Sequence, residues 1–399
     1  MNPAEFPGQL HWTVCSFGVV SCFLFGFTLL WRRLSMRLQR YQGALPGITI
    51  LKPFDGDDPD LEVNFWNTCT ADYPSPRQVL FATAHDNVAG IAVVRRIQER
   101  ARSLPGVTVD LVLPDPDEPP WITRKAWHMH RAWARAEHAV IVNSDSGTRL
   151  QDDTLELLVR TLLGDPRRGV AWASYTVLEA RALGARLTRL AWTATSMCFF
   201  VVDAMGGLAG KVGLSAAGLV AFRSEALDAI GGFTGGEGFV TEDLEIGRLI
   251  AEQGWTLAAS PAPVIRHLPD LPLSGFYQRQ LRWNVVVWSF KVTGRWSYPL
   301  VMGGLALVPF TWIGGCLAFP ERTAEYTALM GTLYSTHLLW AVVLSRLSRV
   351  EPTWDILWML PLVDALLLAT WARAPWVKTV TWRGRELHLV GGGRVAAKP

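Results

Sequence analysis

Short β-forming runs alternate with helical patterns between about residue 46 and residue 270. The runs that favour buried strands are Gly47 to Leu51, Val79 to Thr83, Val107 to Leu113 and Ala139 to Asn143. Helical patterns occupy Leu61 to Cys69, Val88 to Arg102, Thr123 to Arg135 and Asp152 to Leu163, with Asp152 as a suitable N-cap residue. This alternation predicts an α/β domain with a mostly parallel sheet covered by helices. Ligands of such sheets bind beyond the carboxyl ends of the strands.

The chain also contains apolar segments of membrane-spanning length. Half of its 399 residues are apolar, 18% are charged and the mean hydropathy is +0.18, which is unusual for a wholly soluble protein. Val14 to Trp31 carries no charge and is about as long as a helix that crosses the hydrocarbon core. Arginines follow this run, whereas a signal peptide has its positive charges in front. We predict an uncleaved anchor, with the following domain in the cytoplasm.

Three further apolar runs lie near the C-terminus, at Tyr298 to Phe319, Tyr326 to Ser345 and Ile356 to Ala372. The first two are long enough to span a membrane, whereas the third is shorter and contains Asp364. Positive charges favour the cytoplasmic side both before and after the third run, and a single crossing cannot separate two loops on one side. The sequence therefore predicts two to three C-terminal transmembrane helices. For Asp364, a functional role and a structural or interfacial role both remain open.

These features divide the chain into five regions. They are an N-terminal anchor with a basic cytoplasmic flank (1–40), a cytoplasmic domain (45–275), an amphipathic interfacial segment (276–297), a transmembrane region (298–372) and a basic tail (373–399). The interfacial assignment depends on Phe276 to Thr293, which mixes aromatic residues with cations. The net charge of +3 is weak and the basic residues are dispersed, which argues against a nucleic acid partner.

Three carboxylates lie where an α/β sheet binds its ligands. Asp86 follows a strand, where a lone aspartate is more often a loop cap. Asp145 also follows a strand and has small neighbours that leave room for a divalent cation, although Asp-Ser-Gly is also a common turn. Asp243 begins a helical pattern, where an acidic first turn is the plain alternative. The run Arg279 to Trp283 follows them and completes an ordered set that is more specific than any one member.

The chain contains, in order, Leu51-Lys52-Pro53 with Gly56 and Asp58-Pro59, Asp72-Tyr73-Pro74, His85-Asp86, Asp145-Ser146-Gly147, Glu242-Asp243, Arg279-x-x-Arg282-Trp283 and Trp382-Arg383-Gly384-Arg385. This set resembles inverting glycosyltransferases of the GT-A fold, which is Rossmann-like, and within them the ceramide glucosyltransferase-like group. The resemblance covers about residues 45 to 290 and the tail segment. It is specific for the superfamily and less specific for the acceptor.

The resemblance implies a division of labour at a nucleotide-sugar site. Asp86 would hold the uridine, Asp145 would bind the Mg²⁺ or Mn²⁺ that neutralises the diphosphate, and Asp243 would be the general base for the acceptor hydroxyl. Arg279 and Arg282 would stabilise the leaving group. Further residues that the resemblance places at the donor site are Pro53, Lys125 and Trp283. For Trp283, a membrane-interface position is the alternative.

Two positions depart from the family pattern. Gly147 stands where many relatives have a second aspartate, so that metal binding would depend on Asp145 and the phosphates. His128 stands where the family tends to have an asparagine close to the lysine that corresponds to Lys125.

These residues predict a multi-pass membrane enzyme that transfers glucose from UDP-glucose to the hydroxyl of a ceramide-like lipid and gives a β-glycoside. Its compartment would be the inner membrane of a bacterium or the Golgi or endoplasmic reticulum of a eukaryote. One alternative is a hopanoid-type or other lipid glycosyltransferase that uses UDP-N-acetylglucosamine. Another is a processive polysaccharide synthase, for which the C-terminal apolar segments are few. A different class is a noncatalytic membrane protein that binds nucleotide sugars.

Overall fold

The computed structural model describes residues 6–16, 18–19, 26, 30, 41–56, 60–192, 218–268, 270–289, 307–347, 349, 351–382 and 385–397. The chain divides into two units. The sheet unit comprises Arg32–Thr176, Val202–His267 and Lys378–Pro399. The helical unit comprises Met1–Trp31, Val177–Val201 and Leu268–Val377. The sheet unit therefore includes the tail from Lys378 onwards.

The first half of the sheet unit is a parallel α/β arrangement. Its strands lie in the order β3-β2-β1-β4, and they are β1 (Ile48–Pro53), β2 (Arg77–Ala82), β3 (Val107–Val112) and β4 (Val140–Ser144). The helices in this part are α1 (Leu61–Thr70), α2 (Val88–Ala101) and α3 (Arg124–Trp133). Strands β1 and β4 are buried at every position, as expected of central parallel strands. All these elements lie within two residues of their predicted bounds, and the predicted α/β fold is confirmed.

The second half of the sheet continues from β4 through antiparallel strands that the sequence patterns did not predict. The order runs on as β7-β6-β8-β5, with β7 (Leu219–Arg223), β6 (Arg168–Leu178), β8 (Thr256–His267) and β5 (Thr148–Arg149). The helices here are α4 (Thr154–Leu163), α5 (Ser224–Asp228) and α6 (Glu242–Glu252). The N-cap of α4 is Asp153, so the prediction of Asp152 was wrong by one residue.

Aromatic and aliphatic side chains form the core of the sheet unit. Phe65 of α1 contacts Phe54 and Phe81, with ring centroids 5.0 and 4.5 Å apart. Leu155 and Leu158 of α4 are fully buried in the same core. Full burial of one such side chain contributes roughly 1.5–3 kcal/mol. The parallel strands are therefore supported by a well-packed core.

The basic tail forms a second, three-stranded antiparallel sheet, which was not predicted. Its order is β11-β10-β9, with β9 (Thr379–Trp382), β10 (Arg385–Gly391) and β11 (Arg394–Ala397). The end of this sheet also bonds to the loop that precedes α6. The Val395 N–H donates to the Gly238 carbonyl over 2.7 Å, and the Val240 N–H donates to the Gly393 carbonyl over 3.0 Å. Arg383 and Gly384 of the tail motif lie outside the described residues.

The helical unit contains α7 (Leu273–Ser289), α8 (Val308–Ala318), α9 (Thr323–Leu347) and α10 (Ile356–Arg373), and residues 6–16 and 183–192 are also helical. Helix α7 packs along α10. Asn284 donates to the Thr370 hydroxyl over 2.8 Å, and the Trp288 indole donates to the Trp371 carbonyl over 3.1 Å. Helix α7 accounts for the predicted amphipathic segment as far as Ser289.

Among the described residues, one helical stretch, Ile356–Trp376, is long and apolar enough by length and composition to cross a membrane. It corresponds to the third predicted run, which the sequence ranked as the least able to span. Helix α8 is a shorter apolar helix within the first of the three runs. Most of the predicted anchor, with its arginine cluster, lies outside the described residues. The number of membrane crossings therefore stays a prediction.

Candidate active site

The position of Asp145 follows from the pairing of its neighbours. It is the first residue after β4, and its N–H donates to the Gly218 carbonyl over 2.8 Å, which extends the ladder between β4 and β7 by one step. The following turn closes when the Thr148 N–H and hydroxyl both donate to the Asp145 carbonyl. The Asp-Ser-Gly sequence is therefore a turn, and it holds the Asp145 side chain at the carboxyl end of a central strand.

Three donors surround the Asp145 carboxylate. Lys125 Nζ lies 2.8 Å from Oδ1, the Tyr175 hydroxyl donates to Oδ2 over 2.5 Å, and Arg266 Nη1 lies 3.6 Å from Oδ2. Burial alone would raise the pKa of Asp145, but the charges of Lys125 and Arg266 and the hydrogen bonds from Lys125 and Tyr175 outweigh it. The pKa of Asp145 is therefore held well below its usual range, and the side chain is a carboxylate.

Lys125 joins Asp145 to a second acidic group. It lies in the first turn of α3, and its Nζ is 2.6 Å from Oε1 of Glu242, a residue that is only 4% exposed. Burial alone would lower the pKa of Lys125, but the negative charges of Asp145, Glu242 and Asp243 raise it well above its ordinary value. Lys125 is therefore an ammonium shared between carboxylates from two different elements.

Asp243 is the second residue of α6 and lies beside this ion-pair network. Its Oδ1 accepts a 3.0 Å hydrogen bond from the Leu244 N–H. Burial, the charge of Glu242 and, more weakly, that of Asp145 raise the pKa of Asp243 to about 7, against the opposing charge of Lys125. A carboxyl group with a pKa near neutrality can take up a proton and release it again at physiological pH.

Asp86 connects to the same helix start through Arg124. The Arg124 guanidinium is 3.2 Å from Oδ2 of Asp86 and 3.4 Å from Oδ1 of Asp55, which follows β1. The Asp86 side chain is 64% exposed, so it is open to a ligand. Arg124 and Lys125 are consecutive residues in the first turn of α3. Together they bind the carboxylates that follow β1, β2 and β4 and the carboxylate that begins α6.

The remaining predicted site residues lie apart from this cluster in sequence. Pro53 is the last residue of β1 and is buried beside its strand partner Ala82. Arg279, Arg282 and Trp283 lie on α7, in the helical unit. The Arg279 guanidinium lies 5.5 Å from the centre of the Trp192 ring, also in the helical unit. The structure brings Lys125, Asp145 and Asp243 together and describes the α7 residues as part of the other unit.

Sequence reasoning missed three members of the cluster. Glu242 was part of a motif but was given no role, although its carboxylate shares Lys125 with Asp145. Tyr175 and Arg266 lie on β6 and β8, two strands for which no pattern was recognised. The pairing of Thr148 with Arg266 across β5 and β8 explains how a residue so distant in sequence reaches Asp145.

The cluster fits a divalent cation only together with a phosphorylated ligand. In the part of the chain that the structure describes, no group of three or more His, Cys, Asp or Glu side chains could hold a metal ion. Asp145 offers one ionised carboxylate, whose oxygens already face Lys125, Tyr175 and Arg266. One or two carboxylates suffice for Mg²⁺ when substrate phosphates supply further oxygens. Asp145 and a diphosphate together would form such a donor set.

Comparison with known proteins assigns the class of this enzyme. The sequence model of glycosyl transferase family 21 matches residues 13–395, nearly the whole chain. The protein is a glycosyltransferase. It belongs to glycosyl transferase family 21.

The curated relatives agree with the predicted resemblance, which is confirmed. The chain is 23% identical over 361 residues to ceramide glucosyltransferase 3 of Caenorhabditis elegans, a match that covers 88% of this chain and 74% of the relative. It is 19% identical over 356 residues to ceramide glucosyltransferase 1 of the same organism, covering 88% and 73%.

Solved structures give more distant likenesses. A mannosyltransferase from Pyrobaculum calidifontis in complex with GDP-Man and Mn²⁺ is 17% identical, with 91% of this chain and 99% of that chain covered and a TM-score of 0.46. Glucosyl-3-phosphoglycerate synthase from Mycobacterium tuberculosis, with Mn²⁺, UDP and glucosyl-3-phosphoglycerate, is 16% identical, with 62% and 80% covered and a TM-score of 0.35. At these scores the likenesses are too remote to assign a site.

Proposed function

We propose that this glycosyltransferase transfers glucose from UDP-glucose to the hydroxyl of a ceramide-like lipid, with inversion at the anomeric carbon. Two observations support the substrate pair. The chain belongs to glycosyl transferase family 21. The relatives quoted above, whose matches cover 88% of this chain, are ceramide glucosyltransferases. The single observation that carries the mechanism is Asp243, a carboxyl group of pKa about 7 beside the Lys125 ion-pair network.

The donor would bind at the start of α3. Asp86 is exposed and would accept hydrogen bonds from the uridine, while Lys125 would face the diphosphate. Mg²⁺ or Mn²⁺, held by Asp145 and phosphate oxygens, would neutralise charge on the leaving group. Because Lys125 is held between Asp145 and Glu242, its ammonium is already oriented before the donor arrives. Such a preorganised charge costs little reorganisation during the reaction.

Asp243 would act as the general base. Its carboxylate would take the proton of the acceptor hydroxyl as that oxygen attacks the anomeric carbon, and the bond from this carbon to the diphosphate oxygen would break. The products would be a β-glycoside and UDP. A base with a pKa near 7 is suited to the task, because it is ionised at neutral pH and still basic enough to accept the proton.

The acceptor would come from a membrane. Helix α10 and the turn that follows it have membrane-spanning length, and tryptophans mark both ends, with Trp354 89% exposed and Trp376 78% exposed. Exposed tryptophans favour the two water interfaces of a bilayer. We assign the amphipathic helix α7, with Arg279, Arg282 and Trp283, to the same interface, and we propose that Arg279 and Arg282 stabilise the leaving group. We also propose an N-terminal anchor and two to three C-terminal spans.

The test is incubation of the purified full-length protein with single UDP-sugars and a panel of lipid alcohols, followed by mass spectrometry of the lipids. We expect a hexosylated ceramide with UDP-glucose and roughly 10²–10⁴-fold slower formation with the matched variant Asp243→Asn, which should still bind UDP. Transfer from UDP-N-acetylglucosamine alone, or to a sterol-like or hopanoid acceptor alone, would overturn the assignment of donor or acceptor. Extension of a polysaccharide would do the same.

A further inference from the structure

The loop Phe233–Thr241, which joins the end of β7 and α5 to α6, contacts α3 and α6, the two helices that carry Lys125, Glu242 and Asp243. We name it the brace loop. It contains Gly235, Gly236 and Gly238, and its only acidic residue is Glu237. We propose that the brace loop and strand β11 act together to position Lys125 relative to Glu242 and Asp243. The inference rests on the proposed function, because it assigns these parts a role at that same site.

The first contact is between Glu237 and the start of α3. Its Oε1 accepts a 2.8 Å hydrogen bond from the Ile122 N–H, and its Oε2 accepts a 3.4 Å bond from the Thr123 N–H. The Thr123 hydroxyl in turn donates to the Phe239 carbonyl over 3.1 Å. The first N–H groups of a helix lack partners within the helix, and a carboxylate there is favourable. Glu237 therefore bonds to the two residues that directly precede α3, the helix whose first turn carries Lys125.

The second contact is the close packing of Gly236. A Cβ at this position would lie 2.9 Å from the Cβ of Glu242 and 3.3 Å from the Cβ of Ala126. The backbone of the brace loop is therefore packed between Ala126, which follows Lys125, and Glu242, which precedes Asp243. Glycine is required because any side chain would push these two residues apart. The close packing at Gly236 thus sets the distance between Ala126 and Glu242, and with it the distance over which Lys125 reaches Glu242.

The third contact is between the brace loop and strand β11. Strand β11 bonds to Gly238 and Val240 through the two backbone hydrogen bonds described above, and the Arg394 guanidinium lies 5.3 Å from the centre of the Phe239 ring. Val395 is 4% exposed and Phe239 is 8% exposed, so this face is packed. The tail strand therefore holds the brace loop at Gly238 and Val240. The tail follows the helical unit directly in sequence. Strand β11 therefore supports the charged cluster through the brace loop, without contacting the reacting groups.

A loop that positions Lys125 should affect both backbone exchange at α3 and donor kcat/KM, whereas a purely structural loop should leave donor kcat/KM unchanged. Glu237→Ala should increase hydrogen–deuterium exchange at residues 121–126 and lower kcat/KM for the donor by about tenfold, because Lys125 loses its orientation. Glu237→Gln keeps one acceptor oxygen and should restore much of both. The matched control is Glu225→Ala, a charge removal at an exposed residue of α5, which should change neither. The acceptor KM should stay constant in all three variants.

Strand β11 is tested by Val395→Pro in the full-length chain, which removes the N–H that bonds to Gly238. We expect faster exchange at residues 236–241 and the same loss in donor kcat/KM as for Glu237→Ala, with the double variant no worse than either single one. Unchanged exchange at residues 121–126 in Glu237→Ala, or additive losses in the double variant, would overturn the inference. A wild-type protein that transfers no sugar would instead overturn the proposed function, while the exchange experiment would still report on the brace.

Discussion

The hydroxyl of Tyr175 on β6 donates a 2.5 Å hydrogen bond to Oδ2 of Asp145, which directly follows β4. These strands are not neighbours in the sheet, because β7 lies between them. The side chain reaches across the end of β7, where residue 218 is glycine and a Cβ would overlap the tyrosine ring and hydroxyl. The Asp145 carboxylate is therefore oriented from the antiparallel half of the sheet as well as from α3.

Tyr175→Phe removes this hydrogen bond and leaves Oδ2 of Asp145 with a weaker partner set. A hydrogen bond to a charged group contributes about 1.5–3 kcal/mol, so the free energy of unfolding should fall by about that amount. Urea denaturation gives the value. The matched control is Tyr73→Phe, which removes a 2.8 Å bond to the neutral carbonyl of Pro46 and should cost about 1 kcal/mol. An equal or smaller loss for Tyr175→Phe would show that the Asp145 contact contributes no special stability.

Gly218→Ala should displace Tyr175 from Asp145 without changing either side chain. The added Cβ collides with the tyrosine hydroxyl, so either the ring or the end of β7 must shift. We expect the loss in unfolding free energy to be at least that of Tyr175→Phe, because the Cβ also meets ring carbons of Tyr175. Once Gly218→Ala has displaced the hydroxyl from Asp145, adding Tyr175→Phe should cost little more, so the two losses should be less than additive. Strict additivity of the two changes would refute this relation.

Lys125→Met tests the charge that binds Asp145 to Glu242. The change leaves the buried carboxylate of Glu242 and the partly buried carboxylate of Asp145 without their shared ammonium, and loss of one partner of a buried ion pair costs about 3–5 kcal/mol. Thermal or urea unfolding should show this loss at pH 8, and the loss should shrink at low pH, where the carboxylates can become neutral. Lys378→Met removes an exposed lysine of the same unit and is expected to change stability by less than about 0.5 kcal/mol.

The parallel half of the sheet could be predicted because each of its strands is a short apolar run with a helical pattern beside it. Those patterns placed Asp86 and Asp145 at strand ends and Asp243 at a helix start. The antiparallel half could not be predicted in the same way. Strand β5 has two residues and β6 interrupts its apolar residues with Ser174 and Thr176, so neither resembles an isolated strand signal. Tyr175 and Arg266 reach Asp145 only through this long-range pairing, which leaves no local motif in the sequence.

The tail shows a second limit of the same kind. Its charge predicted a basic tail on the cytoplasmic side and no strand, whereas its backbone forms β9, β10 and β11 and bonds to Gly238 and Val240. Strands β9 and β11 have four residues each, the shortest length at which an alternating pattern can indicate a strand. A three-stranded sheet also gains stability from packing against another element, which a single sequence does not reveal. The contribution of the tail to the brace loop therefore became visible only in the structure.

Removal of divalent cations should suppress sugar transfer under the proposed mechanism. Without the cation, the charge of the diphosphate leaving group would be countered in the cluster chiefly by Lys125, and we expect turnover to fall by about a hundredfold in EDTA. Restoration by Mn²⁺ or Mg²⁺ should fail in Asp145→Asn, and calorimetry should show that this variant binds UDP equally well with and without the cation. Full turnover in EDTA would remove Asp145 from the role of metal ligand.

The pH dependence of transfer should report the ionisation of Asp243. Its pKa is raised to about 7, and only the carboxylate can accept the hydroxyl proton. The donor kcat/KM should therefore rise about tenfold per pH unit below 7 and level off above it, while the kcat/KM of Asp243→Asn should be lower by roughly 10²–10⁴-fold and should no longer change with pH around 7.

The free energy of unfolding should move in the opposite direction. The unfolded side chain titrates near pH 4, so the folded state binds the extra proton between about pH 4 and 7, and stability decreases as the pH rises through that window. Asp243→Asn, which cannot ionise, should then gain thermal stability relative to wild type above pH 7 and lose that advantage near pH 4. An activity profile that is flat from pH 5 to 8, or a variant whose relative stability is independent of pH, would mean that Asp243 is not the titrating base.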